Sequence, residues 1–261
     1  MPPAEPARFA ALLLALLTLL PAPVDADVAP RAVARLLAAS GIGADAERAR
    51  ALYVRALVAA DVPDDDDGLA LAIRTTFAPG TLRERWVRQL ARALEPETLE
   101  AAENFYGSVP GTDLSTRLRR VRAALDEEDR AARAPAVAGN ASAGALAAAV
   151  GGDAREAALF RVTGAAAAWT AALVAGETAQ GDPGPWLEAG PAEPPVRVDE
   201  ALAWSEAAPV YLEGLADFAV TDAGLRFHRA CADALASALE KELRARSGTL
   251  VRAAARRLDA R

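Results

Sequence analysis

Two stretches of this chain carry the same punctuation in the same order, and that recurrence narrows what the chain can fold into more than any other feature. Residues 94–114 read LEPETLEAAENFYGSVPGTDL and residues 207–227 read AAPVYLEGLADFAVTDAGLRF. At a constant offset of 113, Pro96 pairs with Pro209, Leu99 with Leu212, Phe105 with Phe218, Ser108 with Thr221, Gly111 with Gly224 and Leu114 with Phe227. Proline suits the first turn of a helix, where its missing N–H is not needed. Leucine and phenylalanine six residues apart, with Ala102 or Leu215 midway between them, step along one side of a helix. A serine or threonine hydroxyl caps the next helix, and a glycine three residues later lets that helix begin against the previous one. The pattern predicts a tight helical hairpin made twice, the mark of an internal duplication.

The rest of the sequence agrees with helices. Hydrophobic residues make up 52% of the 261 residues but aromatics only 5%, and alanine, leucine and arginine dominate, which is helix-forming composition. A core of alanine and leucine lets helix axes approach closely. The expected fold is all-α, two antiparallel helical bundles following a signal peptide, with long helices at about 111–131 and 222–246 closing the two units.

A second match lies upstream, where Leu36-Leu37-Ala38-Ala39-Ser40-Gly41 is similar to Leu159-Phe160-Arg161-Val162-Thr163-Gly164. Both end in a hydroxyl residue and glycine, which predicts a helix stop in each copy. The expected organisation is a signal peptide over 1–26, a first helical unit over 27–130, an Ala/Gly-rich linker or bridging helix over 131–152 and a second unit over 153–261. Gly181-Asp182-Pro183-Gly184-Pro185 reads as a loop inside the second unit, pinned by Trp186 and Leu187.

Phe9 to Leu20 form an apolar run of twelve behind Arg8, followed by Pro21-Ala22-Pro23 and then Val24-Asp25-Ala26. Such a run spans roughly 18 Å as a helix, short of the about 30 Å hydrocarbon core. It reads as a cleaved export signal, cut near Ala26, with no stable membrane anchor left behind. The expected location is the bacterial periplasm.

These residues resemble a family of exported bacterial helical domains, the domain of unknown function two thousand and fifty-nine. Phe105-Tyr106-Gly107-Ser108-Val109-Pro110-Gly111 and Phe218-Ala219-Val220-Thr221-Asp222-Ala223-Gly224 resemble its phenylalanine helix followed by Ser-Pro-x-Gly, with the proline displaced in the first copy and absent from the second. The similarity covers most of residues 30–125 and 155–250. It implies an envelope location and a helical fold, and brings no catalytic residues.

Candidate chemistry is sparse. His228 is the sole histidine and Cys231 the sole cysteine. They sit three residues apart on an apolar stripe with Leu225, Ala232, Leu235 and Leu239, so the histidine reads as packed rather than metal-binding; in the other copy its place is taken by Ser115. No strained nucleophile turn precedes a serine. In Asp64-Asp65-Asp66-Asp67-Gly68 a calcium loop fails, because Pro63 and Arg74 fall where carboxylates are required, and the acids read as a helix N-terminal charge. Arg117, Arg119, Arg120 and Arg122 surround the apolar stripe Leu114, Leu118, Val121 and Leu125, and read as a solvated face. Trp86 falls on an apolar stripe with Leu82, Val87 and Leu90. The formal net charge of −7 argues against nucleic acid as partner.

No catalytic, metal or cofactor site is expected. The leading expectation is a non-enzymatic periplasmic protein acting through protein–protein contacts with an envelope partner. The alternative is a carrier of an apolar or lipid-like ligand between helices of the second unit. It rests on the aromatics concentrated there, Trp169, Trp204, Tyr211, Phe218 and Phe227, together with Phe160.

Overall fold

The structure is a computed structural model that describes residues 28–62, 67–138, 152–178, 181–189 and 198–260, with Leu146 and Val150. The apolar run at 9–20, the cut near Ala26, Asp64 to Asp66 and much of the 131–152 segment lie outside those residues. Among the described residues there are helices and turns and no strand. In chain order they are α1 (Val28–Ser40), a 3-10 turn (Ile42–Ala44), α2 (Asp45–Ala59), α3 (Asp67–Thr75), α4 (Pro79–Ala93), α5 (Pro96–Gly107) and α6 (Val109–Ala124). There follow α7 (Glu127–Ala138), α8 (Gly152–Ala175), α9 (Gly184–Glu188), α10 (Val198–Ser205), α11 (Pro209–Val220) and α12 (Asp222–Asp259).

The two segments that share punctuation form two hairpins, α5–α6 and α11–α12, with the same local geometry. Ser108 Oγ accepts a hydrogen bond from Gly111 N at 3.3 Å and donates to the Phe105 carbonyl at 2.6 Å. Thr221 Oγ1 accepts from Gly224 N at 3.0 Å and donates to the Phe218 carbonyl at 2.7 Å. A Cβ on Gly111 would lie 2.1 Å from the Phe105 carbonyl oxygen, and one on Gly224 would lie 2.0 Å from that of Phe218. Glycine is therefore required at both places by the closeness of the turn. The hairpins pack crosswise, α5 on α12 and α11 on α6, and the Phe105 and Phe218 rings stack between them with centroids 4.5 Å apart and planes 5° from parallel.

The central element is α12, which α8, α4, α5, α3 and α11 surround. Its buried face carries Phe227, Cys231, Leu235, Ala238, Leu239 and Leu243, spaced at helical period. Trp86 of α4 is fully buried against it and donates Nε1–H to the Cys231 carbonyl at 3.1 Å. The main apolar cluster runs from Val33 to Ala254 and draws on both of the expected units. Leu187 is buried in that cluster and Trp186 packs on it, which ties the Gly/Pro-rich loop down as its sequence suggests. One helix among the described residues, Asp153–Ala175, is long and apolar enough to cross a membrane by length and composition, and 67% of an apolar 18-residue stretch within it is buried inside the fold.

Three boundaries differ from expectation. The helix expected at 111–131 breaks at Leu125, which is extended (φ −107°, ψ 129°). Asp126 Oδ1 then accepts from Glu128 N at 2.9 Å and Asp129 N at 2.8 Å, capping α7. The C-terminal helix runs to Asp259, well past 246. Finally, Ser40-Gly41 does end α1, with Gly41 left-handed at φ 75°, but Thr163-Gly164 sits inside α8. There Thr163 Oγ1 bonds back to the Leu159 carbonyl, and the alanines after Gly164 carry the helix onward.

Candidate functional site

Helices α2, α7, α8 and α10 enclose a groove of about 350 Å³ that changes character along its length. On α2 its lining residues are Arg48, Leu52, Arg55, Ala56 and Ala59; on α7 they are Glu127, Arg130, Ala131 and Ala134. On α8 they are Glu156, Phe160, Thr163 and Gly164, and Val198 of α10 completes the wall. Each stripe has the three-and-four spacing of one helical face. Each also begins with a charged residue and ends in small or apolar ones, with Arg55 and Arg130 in between on α2 and α7. Arg48 Nε donates to Glu127 Oε1 at 2.9 Å, and its Nη1 lies 2.7 Å from the Glu156 carboxylate. The three charged starts therefore meet at one end, and the three helices leave that end together. With a rise of about 1.5 Å per residue, the α2 wall from Arg48 to Ala59 extends roughly 16 Å.

The groove exists because α7 packs on α10 and reaches α2 through arginine side chains: Arg55 Nη1 donates to the Glu127 carbonyl at 2.5 Å. Small residues keep it open. Gly164 is a helical glycine facing the space, and a Cβ there would meet nothing within 4 Å. The Arg48 guanidinium lies 5.6 Å from the Phe160 ring centroid, a cation–π distance that flattens both groups against the wall.

Behind the charged end lies a buried ionic network. Arg48, Arg122, Arg130 and Arg155 pair with Asp45, Glu127, Glu156, Asp199 and Glu200, and no side chain among them is more than 10% exposed. Arg122 Nη2 is 2.8 Å from Asp45 and 3.0 Å from Glu200; Arg130 Nε is 2.7 Å from Asp199; Arg155 Nε is 3.2 Å from Asp45. Burial alone would lower the basicity of Arg48, but Glu156 and Glu127 more than offset it and its proton is held more firmly than usual. Arg122 behaves likewise, burial being outweighed by Asp45, Glu200 and Asp199. The network has one more carboxylate than arginine. Asp45, Glu127 and the Asp199–Glu200 pair all stand in the first turns of their helices, where backbone N–H groups favour negative charge.

None of this network is legible as a motif, and it corrects the reading of Arg122 as solvated. Leu114, Leu118 and Val121 do face inward or half-inward, and Arg119 and Arg120 are exposed. Arg122, however, lies on the edge of the apolar stripe that meets α2 and α10.

The aromatics singled out for a ligand do not gather at the groove; of that set only Phe160 lines it. Trp169 is fully buried in the main core. Trp204 and half-buried Tyr211 belong to a smaller cluster with Leu114, Leu118 and Leu215. Phe218 stacks on Phe105, and Phe227 is fully buried beside Tyr106. His228 is buried, edge-on to Phe218 and Phe227, and with Ser115, its counterpart in the other hairpin, it lines a cavity of about 20 Å³. Cys231 is fully buried, and burial pushes its thiol up to about 12. Among the described residues no group of three or more His, Cys, Asp or Glu side chains is arranged to hold a metal ion.

A larger recess of about 420 Å³ lies between α4, α5 and α12. Its wall carries Glu95, Arg226, Arg229 and Asp233, and the exposed Arg226–Glu95 pair crosses it. The smaller groove is the better candidate, because it combines apolar walls with a few convergent charges. Compared with family models, with curated proteins and with solved structures, the chain matches none.

Proposed function

We propose that the protein is a non-enzymatic carrier that binds one small apolar or lipid-like molecule in the groove between α2, α7, α8 and α10. The observation that carries this reading is the groove itself: about 350 Å³, walled by Leu52, Ala56, Ala59, Ala131, Ala134 and Phe160, closed at one end by charge. Sites for small molecules are typically concave and mostly apolar, with a few fixed polar groups, and fall at about 300–1,000 Å³. As part of the same proposal, the chain is exported to the periplasm, belongs with the helical domains it resembles, and arose by duplication of a unit containing one hairpin. The paired caps at Ser108 and Thr221 and the Phe105–Phe218 stack support that origin.

The test is occupancy. A neutral apolar fluorophore should bind one per chain and be displaced by decanol. Gly164→Leu, which places a side chain into open space, should weaken both by at least about tenfold, equivalent to 1.4 kcal/mol, while leaving the melting temperature unchanged or higher. Equal binding by the parent and Gly164→Leu would refute the assignment.

A second reading, docking of an envelope protein, is supported by apolar side chains left in solvent at the hairpin turns, Val109 at 70%, Val220 at 67% and Leu225 at 52% exposure. Cross-linking in envelope extracts should then capture a reproducible partner with the parent and lose it with Val220→Glu and Leu225→Glu together.

A further inference from the structure

We infer that the molecule held in the groove is a single-chain amphiphile with a carboxylate head, seated with the head at Arg55 and the tail along Ala56, Ala59 and Gly164. This rests on the groove being a ligand site and adds the chemistry of what it takes.

The charged end decides the sign of the head. Arg48, Arg55 and Arg130 face the groove with Glu127 and Glu156, and Asp199 behind them pairs with Arg130, so Arg55 is what sets the sign. Two of these arginines are already committed. Arg48 is shared between Glu127 and Glu156, and Arg130 donates to Asp199, to Glu127 and to the Arg122 carbonyl. Arg55 differs: it is exposed, its Nη1 donates to a neutral backbone carbonyl, and among the described residues no carboxylate pairs with it. The bond through Nη1 leaves the Nε and Nη2 edge, the two parallel N–H groups that match the two oxygens of a carboxylate. An alkyl ammonium would meet the Arg55 guanidinium as a like charge, and an alcohol would leave that fork without an anion.

Size decides the tail. At about 30 Å³ per heavy atom, the share of a water molecule in the liquid, the groove has room for roughly a dozen heavy atoms. That is one chain of medium length and not a two-chain lipid. Ala56 and Ala59 of α2, Ala131 and Ala134 of α7 and Phe160 of α8 line the space such a chain would take, and the absence of a side chain at Gly164 leaves the far wall open.

Titration calorimetry on the full mature chain with decanoate, decyl phosphate, decanol and decyltrimethylammonium tests this. Decanoate should bind about tenfold tighter than decanol, and the ammonium compound should bind weakest. Arg55→Gln should bring decanoate down to the affinity of decanol while leaving decanol unchanged; because Arg55 is exposed, the melting temperature serves as a control for folding. Decanol binding as tightly as decanoate, or Arg55→Gln weakening both alike, overturns the carboxylate head while leaving the groove standing. Decyl phosphate binding tighter than decanoate overturns the carboxylate in favour of another anion. If neither decanol nor decanoate binds, the groove itself is not a ligand site and both readings fall.

Discussion

Replacing glycine by alanine should have opposite consequences at two helical positions of this chain. At Gly224 the new Cβ would stand 2.0 Å from the Phe218 carbonyl oxygen and 2.8 Å from its carbon, whereas a carbon–oxygen contact settles well beyond 3 Å. Helices α11 and α12 must then part by about an ångström at their closest point, which strains the packing by about 1–3 kcal/mol. The same movement pulls Gly224 N from Thr221 Oγ1, now 3.0 Å away, and a lost N-cap costs about 1 kcal/mol. The helix gains up to about 1 kcal/mol from alanine. The net is a destabilisation of about 1–3 kcal/mol, which at about 2–4 °C per kcal/mol lowers the melting temperature by roughly 2–12 °C. At Gly164 no atom lies within 4 Å of the added carbon, so only the gain of about 0.5–1 kcal/mol remains and the melting temperature should rise. Thermal melts followed by circular dichroism, with urea unfolding alongside, measure both. A Gly224→Ala protein melting at or above the parent would refute the close approach that defines the hairpin, and Gly111→Ala should repeat the Gly224 result.

Other expectations concern the buried charges and the thiol. Arg122→Met leaves Asp45, Asp199 and Glu200 short of their shared cation and should cost about 3–5 kcal/mol, read by urea unfolding. Cys231 should resist a thiol-specific disulfide reagent at pH 8 and react at once in denaturant, since the native thiol is fully buried. Burial pushes Cys231 and the Tyr53 phenol each up to about 12. Both groups stay neutral in the fold while ionising in the unfolded chain. Their contribution to stability is complete below pH about 8.5, the ordinary thiol value, and is lost progressively as pH rises toward 12; Cys231→Ala should flatten the first part of that decline.

The hairpins were readable in advance because their chemistry is local. Proline at the first turn, a hydroxyl cap and a glycine three residues later act within one turn of chain. The Ser-Gly and Thr-Gly pairs show the limit of the same logic. After Gly41 the chain enters a short 3-10 turn, but after Gly164 four alanines and Trp169 continue one helix, so identical punctuation gave a stop in one place and none in the other. The ionic network was out of reach because its members are scattered from Asp45 to Glu200 and each looks like an ordinary surface charge on its own helix. Arg122 shows why: a residue at the border of an apolar stripe is exposed or buried depending on which helices arrive beside it. The groove escaped for a related reason. Aromatics are the natural markers of a concave apolar site, yet in a chain with so few of them Trp86, Trp169 and Phe227 are spent filling the core, and among the aromatics only Phe160 lines the groove, beside alanines, Leu52 and a glycine.

The position of α12 at the centre of the fold bears on how the chain comes to be folded at all. Helices α3, α4 and α5 bury their apolar faces against an element that occupies the last forty or so residues. A ribosome that has finished α7 at Ala138 still has the entire stretch to Asp259 to make, about 6–25 s of synthesis at 5–20 residues per second. Through that interval α4 has α1 and α2 to pack on, but the side of it that carries Trp86 lacks the partner it meets in the finished fold. The core is therefore completed only once α12 has been made, although most of the helices that surround it come earlier in the chain.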